Sequence, residues 1–310
     1  MHLYAAPLQG YTEAIYRNAH AEIYGDGPDR WYTPFIRVEH GEPRGRDMRQ
    51  LASPLNANHR LVPQIMFRDA DEWENLVTAI TETTDYREID MNLGCPFPPQ
   101  VRKGRGAGLL GRPDELARIA ELMKGHPDVT FSVKMRLGIT APDEWKAVMP
   151  VINSMPLAHV TIHPRVAAQQ YGGELYLDDF REMTAGTPHQ VIYNGDIATP
   201  ADIDRVASQF PTLAGIMTGR GLLARPSLVD EWREGREWTP DEKLDALMNL
   251  HSRVAGQCEQ TYQGETQILA KLKPFWDYIL PSLDRRTAKA IKKAVTLPAY
   301  YRAIEAVGAE

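Results

Sequence analysis

The strongest constraint on the fold is an alternation of short apolar segments with amphipathic ones. Eight runs rich in apolar or β-branched residues have the length of strands. They are Leu3–Ala6, Trp31–Val38, Leu61–Met66, Glu88–Leu93, Val129–Met135, His159–His163, Gln190–Tyr193 and Ala214–Thr218. Helical spacing, often with Pro or Asp near the start, follows in Asp71–Thr83, Pro113–Lys124, Pro142–Ser154 and Pro200–Gln209. Because alternating strands and helices form βαβ units, the sequence predicts an α/β fold with a parallel sheet.

Eight units of this kind fit a (β/α)8 TIM barrel. An open, doubly wound sheet is the competing architecture. That sheet would place a G-x-G-x-x-G turn after its first strand, with an acidic residue further along, and neither is present. The glycine-rich run Gly104–Gly108 has another spacing and follows the fourth strand. We therefore predict the barrel.

A change of pattern near Trp238 marks a second region. Thr239-Pro240-Asp241-Glu242 is typical of a helix start. The predicted helices begin at Pro240, run from Ile268 to Leu280 with a kink at Pro274, run from Asp284 to about Thr296, and begin at Pro298. We predict a barrel domain over residues 1–237 and a small helical domain over residues 238–310.

Composition excludes several classes of protein. Hydrophobic residues make up 43% of the chain and charged residues 25%, as in ordinary globular proteins. No apolar run approaches the roughly 18 residues needed to span a bilayer, and the N-terminus has no signal-peptide pattern. Two cysteines, Cys95 and Cys258, do not make a disulfide framework. We expect a cytoplasmic monomer with no membrane contact and no metal ligands.

The net charge of −6 hides a basic C-terminal end. Residues 266–310 contain eight Lys or Arg and four Asp or Glu, so they carry +4 and the remainder carries −10. Such an asymmetry is typical of a polyanion-binding end, and a solvated helical face is the alternative. Arg285, Lys289, Lys292 and Lys293 recur at i, i+4, i+7 and i+8, which places them on one side of a helix.

Polar residues and glycines end seven of the eight predicted strands. In a barrel these carboxyl ends form the active-site face. The segments are Pro7-Leu8-Gln9-Gly10, Gln64, Asn92 with Cys95, Lys134 to Arg136, His163 to Arg165, Asn194-Gly195-Asp196 and Gly219-Arg220-Gly221. Packing alone does not explain polar residues at seven strand ends, so we predict that these residues line the site.

The residue types at these ends indicate a flavin site. A lysine at a barrel mouth requires an anionic partner, so Lys134 suits the N1–O2 edge of a flavin, where negative charge develops on reduction. Gln64 would donate to the O4/N5 edge. The turns at Gly195 and Gly219 suit a phosphate, although both could be ordinary turns. Together these groups fit flavin mononucleotide (FMN).

For each of two further residues the sequence is compatible with two interpretations. Cys95 is either a buried small hydrophobe or a thiol that exchanges a proton beside Lys and Arg. His163 is either a core histidine or a site residue, and the residues alone do not decide between them.

The sequence resembles the tRNA-dihydrouridine synthase family over nearly its whole length. The motifs that carry the resemblance are Ala6-Pro7-Leu8-Gln9-Gly10-Tyr11-Thr12, Gln64-Ile65-Met66, Asp90-Met91-Asn92-Leu93-Gly94-Cys95-Pro96, Val133-Lys134-Met135-Arg136-Leu137-Gly138, Thr161-Ile162-His163-Pro164-Arg165, Asn194-Gly195-Asp196-Ile197 and Met217-Thr218-Gly219-Arg220-Gly221. The C-terminal segment Leu272–Trp276 also resembles the family's RNA-binding domain.

The resemblance implies a reaction and a role for each residue. The family reduces the C5–C6 double bond of a tRNA uridine with FMN, which NADPH or NADH recharges. Hydride passes from flavin N5 to C6, and a cysteine, here Cys95, protonates C5. The resemblance implies cofactor contacts from Pro7, Leu8, Gln64, Lys134, His163, Asn194, Gly195, Asp196, Gly219 and Arg220. It implies substrate contacts from Asn92, Arg136, Arg165, Lys103, Lys289 and Lys293, with the basic glycine loop closing over the substrate.

Two departures from the family pattern touch the substrate side. Phe97-Pro98-Pro99-Gln100-Val101 stands where the family has lysine and Val-Asn, and His163-Pro164-Arg165-Val166 replaces His-Gly-Arg-Thr. One alternative is a flavin oxidoreductase acting on a free small molecule, such as a dihydroorotate-like pyrimidine, which the basic tail disfavours. A non-catalytic RNA-binding protein is the other, and the presence of Cys95, Lys134 and His163 disfavours it.

Overall fold

The computed structural model describes residues 1–25, 27–57 and 60–308. Its eleven strands are β1 (His2–Ala5), β2 (Arg30–Tyr32), β3 (Ile36–Glu39), β4 (Glu42–Pro43), β5 (Leu61–Val62), β6 (Gln64–Met66), β7 (Glu88–Leu93), β8 (Thr130–Gly138), β9 (Leu157–Val166), β10 (Gln190–Asn194) and β11 (Gly215–Thr218). All belong to one sheet.

The sheet closes on itself as a parallel barrel. β1 pairs in parallel with both β11 and β2, which joins the last strand to the first. The second and third predicted strands are each broken in two: β2 pairs with β5, and β3 with β6. Pro34 and Pro63 lie at the breaks, where a missing N–H interrupts the ladder. With each broken pair counted once, eight parallel strands form the barrel and β4 is a hairpin partner of β3. The predicted (β/α)8 barrel is confirmed.

The helices alternate with the strands and then continue past them. They are α1 (Ala14–Tyr24), α2 (Gly45–Leu51), α3 (Ala70–Thr83), α4 (Pro98–Val101), α5 (Pro113–Leu122), α6 (Trp145–Ser154), α7 (Leu177–Ala185), α8 (Pro200–Gln209), α9 (Arg220–Ala224), α10 (Leu228–Glu234), α11 (Pro240–Thr261), α12 (Glu265–Leu272), α13 (Arg285–Lys293) and α14 (Leu297–Glu305). Side-chain caps fix several starts: Asp69 accepts from Glu72 N, and Thr199 and Asp202 form a capping box. No helix in the described ranges is long and apolar enough to cross a membrane.

The alternation of side chains along β7 separates core from site. Met91 is buried against α3, where the indole of Trp73 donates to its Sδ at 3.1 Å. Asp90 and Asn92, one residue to either side, face the opposite way because strand side chains alternate. The barrel interior therefore receives polar groups from this strand, and the outer face receives apolar ones.

The C-terminal helices share one core with the barrel. α11 packs along α1, and Tyr16 of α1 contacts Phe275 with ring centroids 6.2 Å apart. α12 ends at Leu272 and a 3-10 turn follows over Lys273–Trp276, because Pro274 cannot continue the helix. The predicted helix to Leu280 is therefore shorter than expected. A division of the chain at residue 237 stays a prediction, since apolar packing is continuous across it.

Candidate active site

A cavity of about 820 Å³ opens at the carboxyl ends of the barrel strands. Of the seventeen residues to which the resemblance assigns a role, twelve line it: Pro7, Leu8, Asn92, Cys95, Lys134, Arg136, His163, Asn194, Gly195, Asp196, Gly219 and Arg220. Five other predicted residues, Gln64, Lys103, Arg165, Lys289 and Lys293, are not among its lining. The structure thus places at one barrel mouth predicted residues that lie far apart in the chain.

Cys95 lies two residues after the end of β7, and the Asn92 side chain holds its backbone. The Asn92 side-chain Oδ1 accepts hydrogen bonds from the backbone N–H groups of Gly94 at 3.1 Å and Cys95 at 2.8 Å. Burial raises the pKa of the Cys95 thiol above its ordinary value, against the lowering effect of Arg136 and Lys134. The group is therefore a protonated thiol at neutral pH, which suits a proton donor better than a nucleophile.

Gln64 is fully buried beneath this turn rather than open to the cavity. Its Nε2 donates to Asp90 Oδ2 at 2.7 Å, and its Oε1 accepts from Asn92 Nδ2 at 2.7 Å. Ser132 donates to the other oxygen of Asp90 at 2.7 Å. Burial raises the pKa of Asp90 to about 6. The amide assigned to the flavin edge is thus engaged with protein groups, and Asp90, which the sequence pattern did not single out, is its partner.

Lys134 is the unpaired cation of the site. Within the described residues its Nζ has no hydrogen-bond or ion-pair partner, although it lines the cavity. Burial, followed by the nearby Arg136, lowers the pKa of Lys134 to about 8. An unpaired, desolvated ammonium group favours an anionic ligand. Lys134 can therefore bind an anion that enters the cavity.

Arg136 lines the cavity and also bonds to the backbone around it. Its guanidinium donates to the carbonyls of Gly94 at 3.0 Å, Val166 at 3.0 Å and Gln170 at 2.5 Å. These bonds join the turn that carries Cys95 to the loop after β9. Burial lowers the pKa of Arg136 to about 10, so the group keeps its charge at neutral pH.

His163 is a neutral ring in a cationic environment. Burial lowers the pKa of His163 well below its ordinary value, and Arg136, Lys134 and two further arginines act in the same direction. Arg165 lies 3.4 Å from His163 Nε2 and can only donate, so that nitrogen accepts. The ring proton is then on Nδ1. His163 can donate one hydrogen bond without carrying charge.

Asp196 explains why Arg165 does not reach the cavity. The carboxylate accepts from Arg165 at 2.9 and 2.5 Å and from Arg220 at 3.1 Å. The Arg165 hydrogen bond is the main reason that the pKa of Asp196 lies below its usual range. Arg165 is therefore a structural partner of the turn after β10, and Arg220 remains at the cavity wall.

The two glycine turns after β10 and β11 touch each other. A Cβ on Gly221 would lie 1.8 Å from the carbonyl oxygen of Ile197, and one on Gly219 would lie 3.3 Å from the Cβ of Ala6. Only glycine allows the approach at position 221. Asn194 braces the pair, because its Nδ2 donates to Met217 O at 2.8 Å. Both turns line the cavity, and glycine turns can bind phosphate through backbone N–H groups.

The glycine-rich segment after Cys95 is packed rather than free. Arg105 is buried and pairs with Glu72 at 2.5 Å. A 3-10 turn over Gly106–Gly111 is also largely buried, and a Cβ on Gly106 would lie 2.7 Å from that of Cys95. Arg105 and the glycines after it are therefore packed against the protein, and the closing of the basic loop over a substrate stays a prediction. Lys103 stays exposed outside the cavity.

Aromatic residues that the sequence pattern did not single out form the rim. Phe97 and Tyr171 are 57% and 46% exposed, and both line the cavity. Arg220 and Arg136 lie over the Tyr171 ring, 4.6 and 5.5 Å from its centroid. Tyr278, from the C-terminal region, also lines the cavity. In the sequence Phe97 stands out only as a departure from the family pattern, and its exposure cannot be inferred from that.

Positive charge dominates the cavity wall. Its charged residues are Arg37, Arg44, Lys134, Arg136, Arg220 and Asp196. Five cations and one carboxylate line the wall, although the whole chain carries a net charge of −6. Charged walls of one sign concentrate ligands of the opposite sign. The cavity is therefore suited to anionic ligands that also offer flat rings to Phe97 and Tyr171.

Comparison with known proteins agrees with this geometry. The family model described as "Dihydrouridine synthase (Dus)" matches residues 4–295. "Probable tRNA-dihydrouridine synthase 2" of Bacillus subtilis is 26% identical over 268 residues, which cover 83% of this chain and 80% of that protein. "Probable tRNA-dihydrouridine synthase" of Staphylococcus aureus strain Mu50 is 27% identical over 263 residues, or 82% and 77% of the two chains.

A solved structure shares the fold. Morphinone reductase in complex with tetrahydroNAD has a TM-score of 0.53 and 10% sequence identity. The match covers 78% of this chain and 90% of that one. At this identity the likeness concerns the barrel alone.

Proposed function

The chain belongs to the dihydrouridine synthase family, and we propose that it reduces a uridine of tRNA to 5,6-dihydrouridine with FMN as cofactor and NADPH or NADH as reductant. The relatives in Bacillus and Staphylococcus are named for tRNA. One observation carries the proposal for this chain. A protonated thiol, an unpaired lysine and a neutral histidine line the same cationic cavity.

The residues present fit FMN. Lys134, which has no hydrogen-bond or ion-pair partner among the described residues, would bind the N1–O2 edge of the isoalloxazine. The glycine turns at 195 and 219–221 and Arg220 would hold the phosphate end. His163, neutral with its proton on Nδ1, would donate to a flavin oxygen. Bound FMN supplies the hydride that reaches C6 of the pyrimidine. Gln64 supports this site from below through Asn92, rather than by direct contact.

Cys95 supplies the proton. Its raised pKa keeps the thiol protonated until C5 of the uracil gains negative character, and Arg136 and Lys134 then stabilise the thiolate that remains. Asn92 fixes the position of Cys95 through two backbone N–H groups. Both ends of the Asn92 amide therefore already bond to protein groups. Its predicted role in orienting the base would depend on the hydrogen-bonding capacity that remains on the side facing the cavity.

Two surfaces support an RNA substrate over a free pyrimidine. The first is the aromatic rim, where Phe97 and Tyr171 offer stacking faces to nucleobases. The second is the exposed side of α13, opposite the buried Thr287 and Ile291. It carries Arg285, Arg286, Lys289, Lys292 and Lys293, and in the described part of the chain none of them forms a salt bridge, although Arg286 lies near Asp284. A single small substrate requires neither surface.

The α13 surface would hold tRNA while the target base turns out of its stack into the cavity. Because the substrate is tRNA, we also propose that the protein acts in the cytoplasm. A dihydrouridine map of tRNA from cells that lack this protein would identify the position that it modifies.

The test compares wild-type protein with Cys95→Ala. Purified wild type, loaded with FMN, should convert unmodified tRNA to dihydrouridine-containing tRNA in the presence of NADPH. Cys95→Ala should bind as much FMN and oxidise NADPH with oxygen at the same rate, because only proton delivery is lost. Dihydrouridine formation should fall by about 10²–10⁴-fold, the usual contribution of a general acid.

Three results would contradict this assignment. Wild type that cannot be loaded with FMN would refute the flavin. Cys95→Ala with full tRNA activity would place the acid elsewhere. Wild type that reduces free orotate or uracil faster than tRNA would make the small-molecule alternative correct.

A further inference from the structure

A buried carboxylate lies at the end of a hydrogen-bond chain that leads to Cys95. Asp90 has no solvent exposure, and it lies beside Gln64 of β6 and Ser132 of β8 in the register of the parallel sheet. From Asp90 the chain passes through the Gln64 amide and the Asn92 amide, with 2.7 Å at both steps. It ends at the backbone N–H groups of Gly94 and Cys95.

Asp90, the buried end of this hydrogen-bond chain, determines which amide groups donate and which accept along it. An ionised carboxylate only accepts hydrogen bonds, so the Gln64 amide must present its NH2 group to Asp90. The Gln64 carbonyl then faces Asn92, and the NH2 group of Asn92 must turn towards it. Asn92 is left with its carbonyl oxygen towards the two backbone N–H groups. If the Asn92 amide turned over, its NH2 group would oppose the N–H of Cys95 and the turn would lose both bonds. A turned Gln64 amide would oppose its carbonyl to the Asp90 carboxylate and its NH2 group to that of Asn92.

We propose that Asp90 is a positioning residue for the catalytic thiol, which acts through Gln64 and Asn92 to hold the Cys95 turn. The role of Cys95 as the acid rests on the proposed function, whereas the position of its turn does not. The barrel supplies the chain because three neighbouring strands place their inward side chains at one level. A buried carboxylate is costly unless every acceptor is satisfied, and here both oxygens are bonded.

Three variants separate this role from general destabilisation. Asp90→Leu removes the acceptor and keeps the number and branching of the side-chain heavy atoms, although its methyl groups are larger than the carboxylate oxygens. Asp90→Asn removes the charge but keeps an acceptor for Gln64, since its NH2 group can donate to the Ser132 hydroxyl. Ser132→Ala removes a hydrogen bond from the same carboxylate without touching the path to Cys95, and is therefore the matched control.

The first measurement is the alkylation rate of Cys95 by iodoacetamide at pH 8, followed by mass spectrometry of the peptide that contains it. Asp90→Leu should be alkylated about tenfold faster, because a turn that loses its two side-chain bonds exposes the thiol. Asp90→Asn and Ser132→Ala should stay within about twofold of wild type. This readout requires neither FMN nor tRNA, so it stands even if the proposed function fails.

The second measurement is dihydrouridine formation. Asp90→Leu should lower kcat by about tenfold or more with a KM for tRNA near that of wild type, and Asp90→Asn should restore most of kcat. Equal effects of Leu and Asn on alkylation and kcat would show that the charge beside Lys134 matters and would overturn the positioning role. If Asp90→Leu does not fold, Gln64→Met breaks the same chain one step nearer to Cys95, and wild-type alkylation in that variant would also refute the proposal.

Discussion

Gly106→Ala tests whether the packed glycine segment fixes the catalytic cysteine. A Cβ at this position would lie 2.7 Å from Cys95 Cβ and 2.9 Å from Cys95 O, whereas ordinary contacts begin at 3.4 Å. The two segments must therefore separate by about 0.7 Å, which also strains the hydrogen bond from Ala107 N to Cys95 O at 3.2 Å. A misplacement of about 1 Å in an active site can lower a rate by about 10²-fold.

Gly104→Ala is the matched control. Both glycines have positive φ, +57° at Gly106 and +73° at Gly104, so either alanine should lower the free energy of unfolding by about 1–2 kcal/mol. At Gly104, however, the new Cβ meets only the Arg112 side chain at 3.2 Å, and a long side chain can move aside. Both variants should therefore lose stability, Gly106→Ala the more because its Cβ meets backbone atoms, and only Gly106→Ala should lose activity.

The assay has three parts. Thermal unfolding measures the shared loss of stability, NADPH oxidation by oxygen measures the flavin half-reaction, and dihydrouridine formation in tRNA measures the step that requires Cys95. Gly106→Ala should form dihydrouridine about 10²-fold more slowly with normal NADPH oxidation, and Gly104→Ala should match wild type in both. Equal dihydrouridine formation by the two variants would refute the link between Gly106 and Cys95.

Further predictions concern the flavin, the rim and α13. Lys134→Met should bind FMN more weakly, measured by released flavin absorbance; in wild type the flavin reduction rate should fall as pH rises through the pKa of Lys134, which burial lowers to about 8 and an anionic flavin edge would raise again, and this pH dependence should vanish in the variant. Phe97→Leu and Tyr171→Leu should each raise the KM for tRNA by about tenfold, because stacking contributes about 1–3 kcal/mol, while FMN content is unchanged; an unchanged KM would exclude them from the RNA surface. Lys289→Glu with Lys293→Glu should raise the KM for tRNA and flatten its dependence on salt; a wild-type salt slope would make α13 an ordinary solvated face.

The barrel and most of its mouth can be predicted from the sequence because both depend on local signals. Strand-length apolar runs and the residues that end them follow one another along the chain, so the pattern alone places Cys95, Lys134 and Gly219 at one face. The breaks in the second and third strands are not part of that prediction, although Pro34 and Pro63 carry the signal. A proline inside an apolar run interrupts a strand, just as a proline after a polar cap begins a helix.

The side-chain partners cannot be predicted in the same way. Arg165 lies at the end of β9 as expected, whereas Gln64 begins β6. Their hydrogen bonds go to Asp196 and to Asn92 with Asp90, and these pairings depend on the register of neighbouring strands. In the sequence Arg105 looks like part of a basic loop. Its ion-pair partner, Glu72, lies on α3 and is too distant in the chain to be identified from the residues around Arg105. Residues distant in sequence decide which polar group remains free for a ligand.

The apolar packing between α1 and the C-terminal helices has a consequence for how this enzyme unfolds. Tyr16 meets Phe275 with ring centroids 6.2 Å apart, Tyr24 meets Trp238 at 6.1 Å, and Lys271 pairs with Glu13 at 2.6 Å. A seam of this kind couples the two regions thermodynamically, so calorimetry should record a single cooperative endotherm rather than two. Truncation after residue 237 would expose Tyr16 and Tyr24 as part of an apolar patch on the barrel surface. The shortened chain should therefore self-associate.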